Sequence, residues 1–136
     1  MLIRVSLLVI LSLTALAQAA EPKLTNKAFE WGDITCQEQA SPGDHIKIRV
    51  RLTKVERAKG GQLRIDPHWY QGKERAGVIG MVGRQKIEAK KQDYIFEWTI
   101  PADKEGLSAV SFVTYGGEDD SWSGKRFTGT LGMSVR

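Results

Sequence analysis

The sequence is poor in the residues that build disulfide networks and metal centres. Its 136 residues include one cysteine, Cys36, and two histidines, His45 and His68. One cysteine cannot form an internal disulfide bond, so the core must hold without one. Two histidines and one cysteine at this spacing match no standard zinc pattern. We therefore expect no metal site and no cofactor.

The sequence motifs of common enzymes are also missing. Gly77, Gly80 and Gly83 are spaced by three and do not form the glycine pattern of dinucleotide-binding folds, and no glycine stands where a phosphate-binding loop ending in Gly124-Lys125 requires one. A Gly-x-Ser-x-Gly nucleophile motif does not occur. A TIM barrel or a full dinucleotide-binding fold needs a longer chain. We predict that the protein is not an enzyme.

The sequence has no apolar run long enough to span a membrane, and its longest apolar run lies near the N-terminus. Arg4 precedes an apolar run from Val5 to Leu13, and Ala17-Gln18-Ala19 has the small-x-small pattern of a cleavage site. This pattern predicts a signal peptide over residues 1–19. An uncleaved anchor is the alternative, but the run is shorter than the ~20 residues of a spanning helix. We expect a secreted or periplasmic protein with no stable membrane anchor.

The charge is close to balanced. The chain has 20 Lys and Arg residues against 16 Asp and Glu residues, a formal net charge of +4. Such a mild excess does not indicate binding to nucleic acid, and we expect no nucleic-acid partner.

The sequence contains a series of short β-strand patterns. In residues 44–55, Ile46, Ile48, Val50 and Leu52 alternate with polar side chains, which is the period of a half-buried strand. Similar patterns cover residues 94–100, 107–115 and 127–135, and the second of these is apolar on both faces and therefore predicted to be central.

Helical periodicity is weak throughout, and only residues 86–91 allow a short helix. We predict an all-β, antiparallel, jelly-roll-like β-sandwich forming a single domain. Residues 20–40 are expected to form a lead-in and a first strand, with the polar stretch 21–27 as the lead-in. Residues 41–136 are expected to form the body of the sandwich.

The strand at 44–55 and the next one, 63–70, are separated by a glycine-containing loop and are predicted to pair as a hairpin. Placing Leu52 opposite Ile65 matches the apolar faces of the two strands. The outer surface then carries three cross-strand pairs: Arg51 with Asp66, Arg49 with His68, and Lys47 with Tyr70.

The order of these elements resembles the carbohydrate-binding modules with galactose-binding-like jelly-roll architecture. The shared features are a turn, Pro42-Gly43-Asp44, before an alternating strand, and a later segment containing Tyr94, Phe96 and Pro101. The resemblance covers most of residues 41–136 and implies a β-sandwich fold. The acidic strand-end residues that hold a structural calcium ion in many of these modules are not found.

Carbohydrate sites combine aromatic rings, on which sugars stack, with polar groups that bind hydroxyls. The first candidate site is the outer surface of the predicted hairpin: Arg49, Arg51, Asp66, His68 and Tyr70. The second is the loop that follows the central strand: Tyr115, Asp119, Asp120, Trp122 and Arg126. The alternatives are a solvated sheet surface with ion pairs for the first, and Trp122 capping the sandwich for the second.

Two further groups of residues each allow more than one role. Cys36 is predicted to be a buried strand thiol, with an intermolecular disulfide or a catalytic thiol as the alternatives. The carboxylates Glu118, Asp119 and Asp120 form a solvated loop or bind calcium, and we predict the solvated loop.

These observations predict a non-enzymatic exported binding module with a glycan or an anionic polysaccharide as its ligand. The cations Lys47, Arg49, Arg51 and Arg64 are candidates to meet anionic groups on such a ligand. The alternative is an exported protein-interaction domain, an inhibitor or an accessory subunit, that uses the same basic sheet face against an acidic protein.

Overall fold

The computed structural model describes residues 21–53, 61–117 and 127–136, which form strands and turns without a helix. The strands in these ranges are β1 (Leu24–Phe29), β2 (Gly32–Gln37), β3 (Gln39–Ala40), β4 (His45–Leu52), β5 (Gln62–Gln71), β6 (Glu74–Val78), β7 (Gly83–Lys86), β8 (Asp93–Thr99), β9 (Leu107–Gly117) and β10 (Gly129–Val135). No helix capable of crossing a membrane occurs among these residues.

The strands form two sheets. Sheet A has the order β1-β2-β4-β8, and sheet B has the order β3-β10-β9-β5-β6. Strand β7 also joins sheet B, because it pairs with the first half of β5 while β6 pairs with the second half. The short β3 pairs with β10 in parallel; the other described pairs are antiparallel. The predicted all-β sandwich in a single domain is confirmed.

The core lies between the two sheets and consists mainly of alternate residues from β2, β4, β5, β8, β9 and β10. In sheet A, Ile48 and Val50 of β4 are fully buried, and in sheet B so are Leu63 and Ile65 of β5. Burying an aliphatic side chain of this size stabilises the fold by about 1.5–3 kcal/mol. The sequence alternation therefore identified the inward face of these strands correctly.

The predicted hairpin between β4 and β5 is wrong. Strand β4 pairs with β2 and β8 in sheet A, whereas β5 pairs with β9, β6 and β7 in sheet B. The chain thus crosses from one sheet to the other between Thr53 and Gly61. Two strands whose apolar faces meet across a core satisfy the same alternation as two neighbours in one sheet, so matching apolar faces did not distinguish these arrangements.

Two local expectations also differ from the structure. Part of the polar stretch 21–27 belongs to β1, an edge strand that packs little of its surface into the core and needs no apolar alternation. Residues 86–91 contain the end of β7 and a turn rather than a helix. The turn between β5 and β6 consists of Gly72 and Lys73, and Gly72 has a φ of 60°, as two-residue hairpin turns favour.

The turn between β7 and β8 is held by Tyr94, whose side chain is fully buried. Its hydroxyl accepts a hydrogen bond from the Glu88 amide at 3.0 Å and lies 3.2 Å from the Lys91 carbonyl oxygen, to which it donates. One side chain thereby satisfies backbone groups at both ends of the turn.

Candidate functional site

The structure separates the predicted site residues into three groups. Arg49 and Arg51 lie on the outer face of sheet A; Asp66, His68, Tyr70 and Tyr115 lie on strands β5 and β9 of sheet B; Asp119, Asp120, Trp122 and Arg126 lie outside the described residues. Glu118, the third residue of the acidic loop, also lies outside them. Because β4 and β5 are in different sheets, the three predicted cross-strand pairs do not form.

On the outer face of sheet A, Arg51 is paired with a carboxylate. Its Nε donates a hydrogen bond to Asp93 Oδ1 at 2.9 Å. This hydrogen bond raises the pKa of Arg51 and lowers the pKa of Asp93. Both side chains are more than two-fifths exposed, so solvent screening keeps the contribution of the pair to stability small.

The other basic residues of β4 also have acidic neighbours. Arg49 Nη2 lies 3.6 Å from Asp33 Oδ1, and Lys47 is opposite Glu97 in the register of β4 and β8. His45 Nε2 lies 3.8 Å from the Glu97 carboxylate. Strand β4 is basic in sequence, but flanking strands supply carboxylates, so this outer face is electrically balanced.

A shallow recess lies beside Arg49. The guanidinium donates from Nη2 to Thr35 Oγ1 at 3.2 Å, and the Asn26 side-chain amide donates to the same oxygen at 2.7 Å. Leu24 and Lys47 complete the rim of a recess of about 170 Å³. At ~30 Å³ per water molecule, this space holds a small group and not a polymer.

On sheet B, strand β5 presents a line of polar side chains to the outside. Leu63 and Ile65 point into the core and are fully buried. Alternate residues of a strand face opposite sides, so Arg64, Asp66 and His68 point outward. Arg64 Nε donates to Asp66 Oδ1 at 2.7 Å, and the Asp66 side chain is only 13% exposed. A nearly buried carboxylate therefore orients the Arg64 guanidinium.

Residues from the two neighbouring strands flank Arg64. Tyr115 of β9 and Arg84 of β7 are its register partners on the two sides, and directly paired residues share a face. Tyr115, Arg64 and Arg84 therefore form a cross-strand row about 10 Å long, at ~4.8 Å between strands. Lys86 follows on the same face of β7, opposite Gln62.

At the other end of β5, His68 is held by an arginine. Arg75 Nε donates a hydrogen bond to His68 Nδ1 at 3.0 Å, which leaves the ring proton on Nε2. Burial, and next the charge of Arg75, lower the pKa of His68, while Asp66 opposes them. His68 is therefore neutral at pH 7. Tyr70 is opposite Arg75 in the register of β5 and β6.

We call this surface the basic face. It consists of Arg64, Asp66, His68, Tyr70, Arg75, Arg84, Lys86 and Tyr115. Four of these residues are Arg or Lys and one is a carboxylate. Tyr115 is the register partner of Arg64, and Tyr70 lies six residues further along β5. The two tyrosines are therefore about 20 Å apart at ~3.3 Å per residue. The basic face is a polar strip with a half-exposed tyrosine near each end.

One surface thus carries four of the predicted residues, Asp66, His68, Tyr70 and Tyr115. This surface forms because β5 pairs with β9, whereas the prediction had paired β5 with β4. Arg75, Arg84 and Lys86 were not predicted as site residues. The segment that contains Arg84 and Lys86 is charged and has no clear alternation, so its strand face could not be assigned from the sequence.

Cys36 is buried, as predicted. Its burial raises the pKa of the thiol to about 12, which leaves almost no thiolate at neutral pH. Within the described ranges, no cluster of three or more His, Cys, Asp or Glu side chains is arranged to hold a metal ion.

Comparisons with known proteins give structural neighbours only. No family model matches the chain, and no curated protein matches it. The superoxide reductase (neelaredoxin) from Ignicoccus hospitalis matches with a TM-score of 0.47 and 16% identity, over 82% of this chain and 80% of that chain. A β-glucosidase from Listeria innocua, in complex with gluconolactone, matches with a TM-score of 0.43 and 9% identity, over 83% of this chain and 16% of that chain.

Proposed function

We propose that the protein is a non-enzymatic, secreted or periplasmic binding module that takes a carbohydrate chain on the basic face. The observation that carries the proposal is the combination of two half-exposed tyrosines with arginine, histidine and aspartate side chains on one strand surface. Tyrosine rings stack against the apolar C–H surfaces of sugars, and the charged groups between them hydrogen-bond hydroxyls.

The shape of the surface favours a polymer over a small molecule. The basic face is the outer side of a sheet, and its two tyrosines are about 20 Å apart along β5. A ligand that contacts both must be extended. The recess beside Arg49 has a volume of about 170 Å³ and is too small for such a ligand.

The resemblance to galactose-binding-like carbohydrate-binding modules adds support for this class of ligand. Its motif residues, such as Gly43, Tyr94 and Phe96, lie in sheet A and its turns. They are therefore features of the sandwich framework, while the ligand proposal depends on the residues of sheet B.

A second candidate function is binding to an acidic protein. The same excess of cations on the basic face favours it, since complementary charge steers protein association. The two candidates differ in what they require of the tyrosines. Sugar binding depends on the two tyrosine rings, whereas association with an acidic protein depends mainly on Arg64, Arg75, Arg84 and Lys86.

The test of the carbohydrate proposal is a glycan-array screen of the untagged exported protein, at low and at physiological salt, followed by affinity electrophoresis in polysaccharide gels. Retardation by at least one polysaccharide at physiological salt is expected. If no glycan binds at either salt concentration, the carbohydrate proposal is wrong. Pull-down with an acidic protein that is lost at high salt would then favour the second candidate.

Export is tested separately by sequencing the N-terminus of the protein recovered from the periplasm or the medium. An N-terminus at Ala20 is expected. Recovery of the uncleaved chain from the cytoplasm would contradict the proposed location.

A further inference from the structure

Two arginines lie directly opposite each other on the basic face. Arg64 of β5 and Arg84 of β7 are register partners, and like charges in this position destabilise a sheet. Arg64 is bonded to Asp66. For the exposed Arg84 side chain, no hydrogen bond or ion pair is found among the described residues. Lys86, two residues further along β7, adds a third cation on the same side of the strand.

Among the residues that the structure describes, the basic face carries four cations and one carboxylate. Asp66 is the carboxylate that strand pairing places on the basic face, and its Oδ1 already accepts the hydrogen bond from Arg64. A guanidinium offers several N–H donors in a fixed plane and binds carboxylate or sulfate oxygens in pairs. The repulsion between Arg64 and Arg84 would be relieved by an anion bound between them.

An aromatic ring lies on the other side of the same row. Tyr115 is the partner of Arg64 on β9 and is half-exposed. At ~4.8 Å between neighbouring strands, its backbone position is about 5 Å from that of Arg64 and about 10 Å from that of Arg84. A sugar ring on Tyr115 can thus extend an exocyclic acidic group to the guanidinium groups.

We propose that the cross-strand row of Tyr115, Arg64 and Arg84 binds one anionic sugar residue of the ligand, with its ring on Tyr115 and its anionic oxygens between the two arginines. The acidic group is a uronate carboxylate or a sulfate ester, which share the required chemistry. This inference rests on the proposed carbohydrate-binding function and names the class of carbohydrate.

The experiment compares matched polysaccharides that differ in charge. Binding of polygalacturonate and of its fully methyl-esterified form is measured by isothermal calorimetry, together with dextran sulfate and unmodified dextran. The Arg84→Gln and Arg84→Lys variants are compared with wild type. Lys27→Gln is the control, because it removes the same charge from an exposed strand position on the opposite sheet.

We expect the charged form of at least one pair to bind about 10- to 100-fold more tightly than its neutral form, the range of a charge-assisted bidentate contact. Arg84→Gln should remove most of this preference, Arg84→Lys should retain part of it, and Lys27→Gln should leave it within about twofold. Preference for polygalacturonate identifies a uronate, and preference for dextran sulfate identifies a sulfate ester.

The inference and the proposed function fail in different ways. If neutral and charged forms bind equally, or if Arg84→Gln weakens both forms no more than Lys27→Gln does, the assignment of the row is overturned while carbohydrate binding stands. If neither these four polysaccharides nor the glycans of the array bind, the proposed function fails, and the inference fails with it.

Discussion

Arg75 and His68 are joined by a hydrogen bond that exists in only one protonation state of the histidine. Arg75 Nε donates to His68 Nδ1 at 3.0 Å. A protonated imidazole carries hydrogens on both nitrogens and cannot accept this bond. Protonation of His68 therefore removes the contact and places two positive charges side by side on the basic face.

The pH dependence of His68 follows from this contact. Its pKa is lowered from 6.5 by burial and then by Arg75, so the unfolded state binds the proton more tightly than the folded state. The stability contribution is fully present above pH 6.5 and is lost as the pH falls toward the pKa of the folded state. A two-dimensional NMR titration should give a His68 midpoint below 6.5, and Arg75→Gln should raise it. A wild-type midpoint at or above 6.5 would contradict the described environment.

Removing either tyrosine of the basic face should weaken carbohydrate binding. We expect Tyr115→Ala and Tyr70→Ala each to lower the affinity by about three- to tenfold, because each loses one stacking surface. Both side chains are half-buried, so each truncation should lower the melting temperature modestly without unfolding the protein. Tyr115→Phe keeps the ring and is the control. Equal loss of affinity in Tyr115→Phe and Tyr115→Ala, measured by affinity electrophoresis, would show that stacking is not the interaction.

Gly32 is expected to tolerate no side chain. A Cβ built there would lie 1.8 Å from the carbonyl oxygen of Arg51 on the neighbouring strand, and the residue has a φ of 154°. Gly32→Ala should lower the free energy of unfolding by about 3 kcal/mol or more, measured by urea denaturation. Gly132→Ala, where the nearest atom would be 4.0 Å away, is the matched control and should be close to neutral.

Tyr94→Phe tests the turn before β8. The change leaves the Glu88 amide and the Lys91 carbonyl without their hydroxyl partner, and unsatisfied groups at a partly buried site cost about 1–3 kcal/mol in total. Urea denaturation should show this loss, and hydrogen exchange at the Glu88 amide should become faster. Unchanged exchange at Glu88 would mean that the hydroxyl does not protect this amide.

Cys36 should be inert in the folded protein. Its pKa is raised from 9.0 to about 12, so its thiolate population at pH 8 is lower by about a thousandfold than that of an exposed thiol. Labelling with iodoacetamide should be slow in buffer and rapid in urea. A disulfide-linked dimer on a non-reducing gel of freshly purified folded protein would contradict the buried position and support an intermolecular bridge.

The fold class and the inward faces of the strands could be predicted because alternation depends on local sequence. Ile48 on β4 and Phe96 on β8 are buried as their spacing indicated. Strand partners could not be predicted in the same way. Consecutive strands such as β4 and β5 belong to different sheets, and a short connection with a glycine is compatible with either arrangement.

The candidate site was predicted only in part, for a related reason. Asp66, His68, Tyr70 and Tyr115 were chosen for their chemistry, and they lie on one sheet because β5 and β9 pair in register. Arg49 and Arg51 were chosen for charge, but Asp33 on β2 and Asp93 on β8 lie beside them. Which cations are neutralised depends on pairing between distant segments, which alternation does not reveal.

The position of β10 has a consequence for how the chain folds as it is made. This strand follows the other described strands in sequence, yet it lies between β3 and β9 and is the hydrogen-bonding partner of both. A ribosome must therefore release the chain through Val135 before sheet B can close, and pairing between such distant segments is slow. Until then the nascent chain exposes the apolar face of β9, a kind of surface that promotes aggregation.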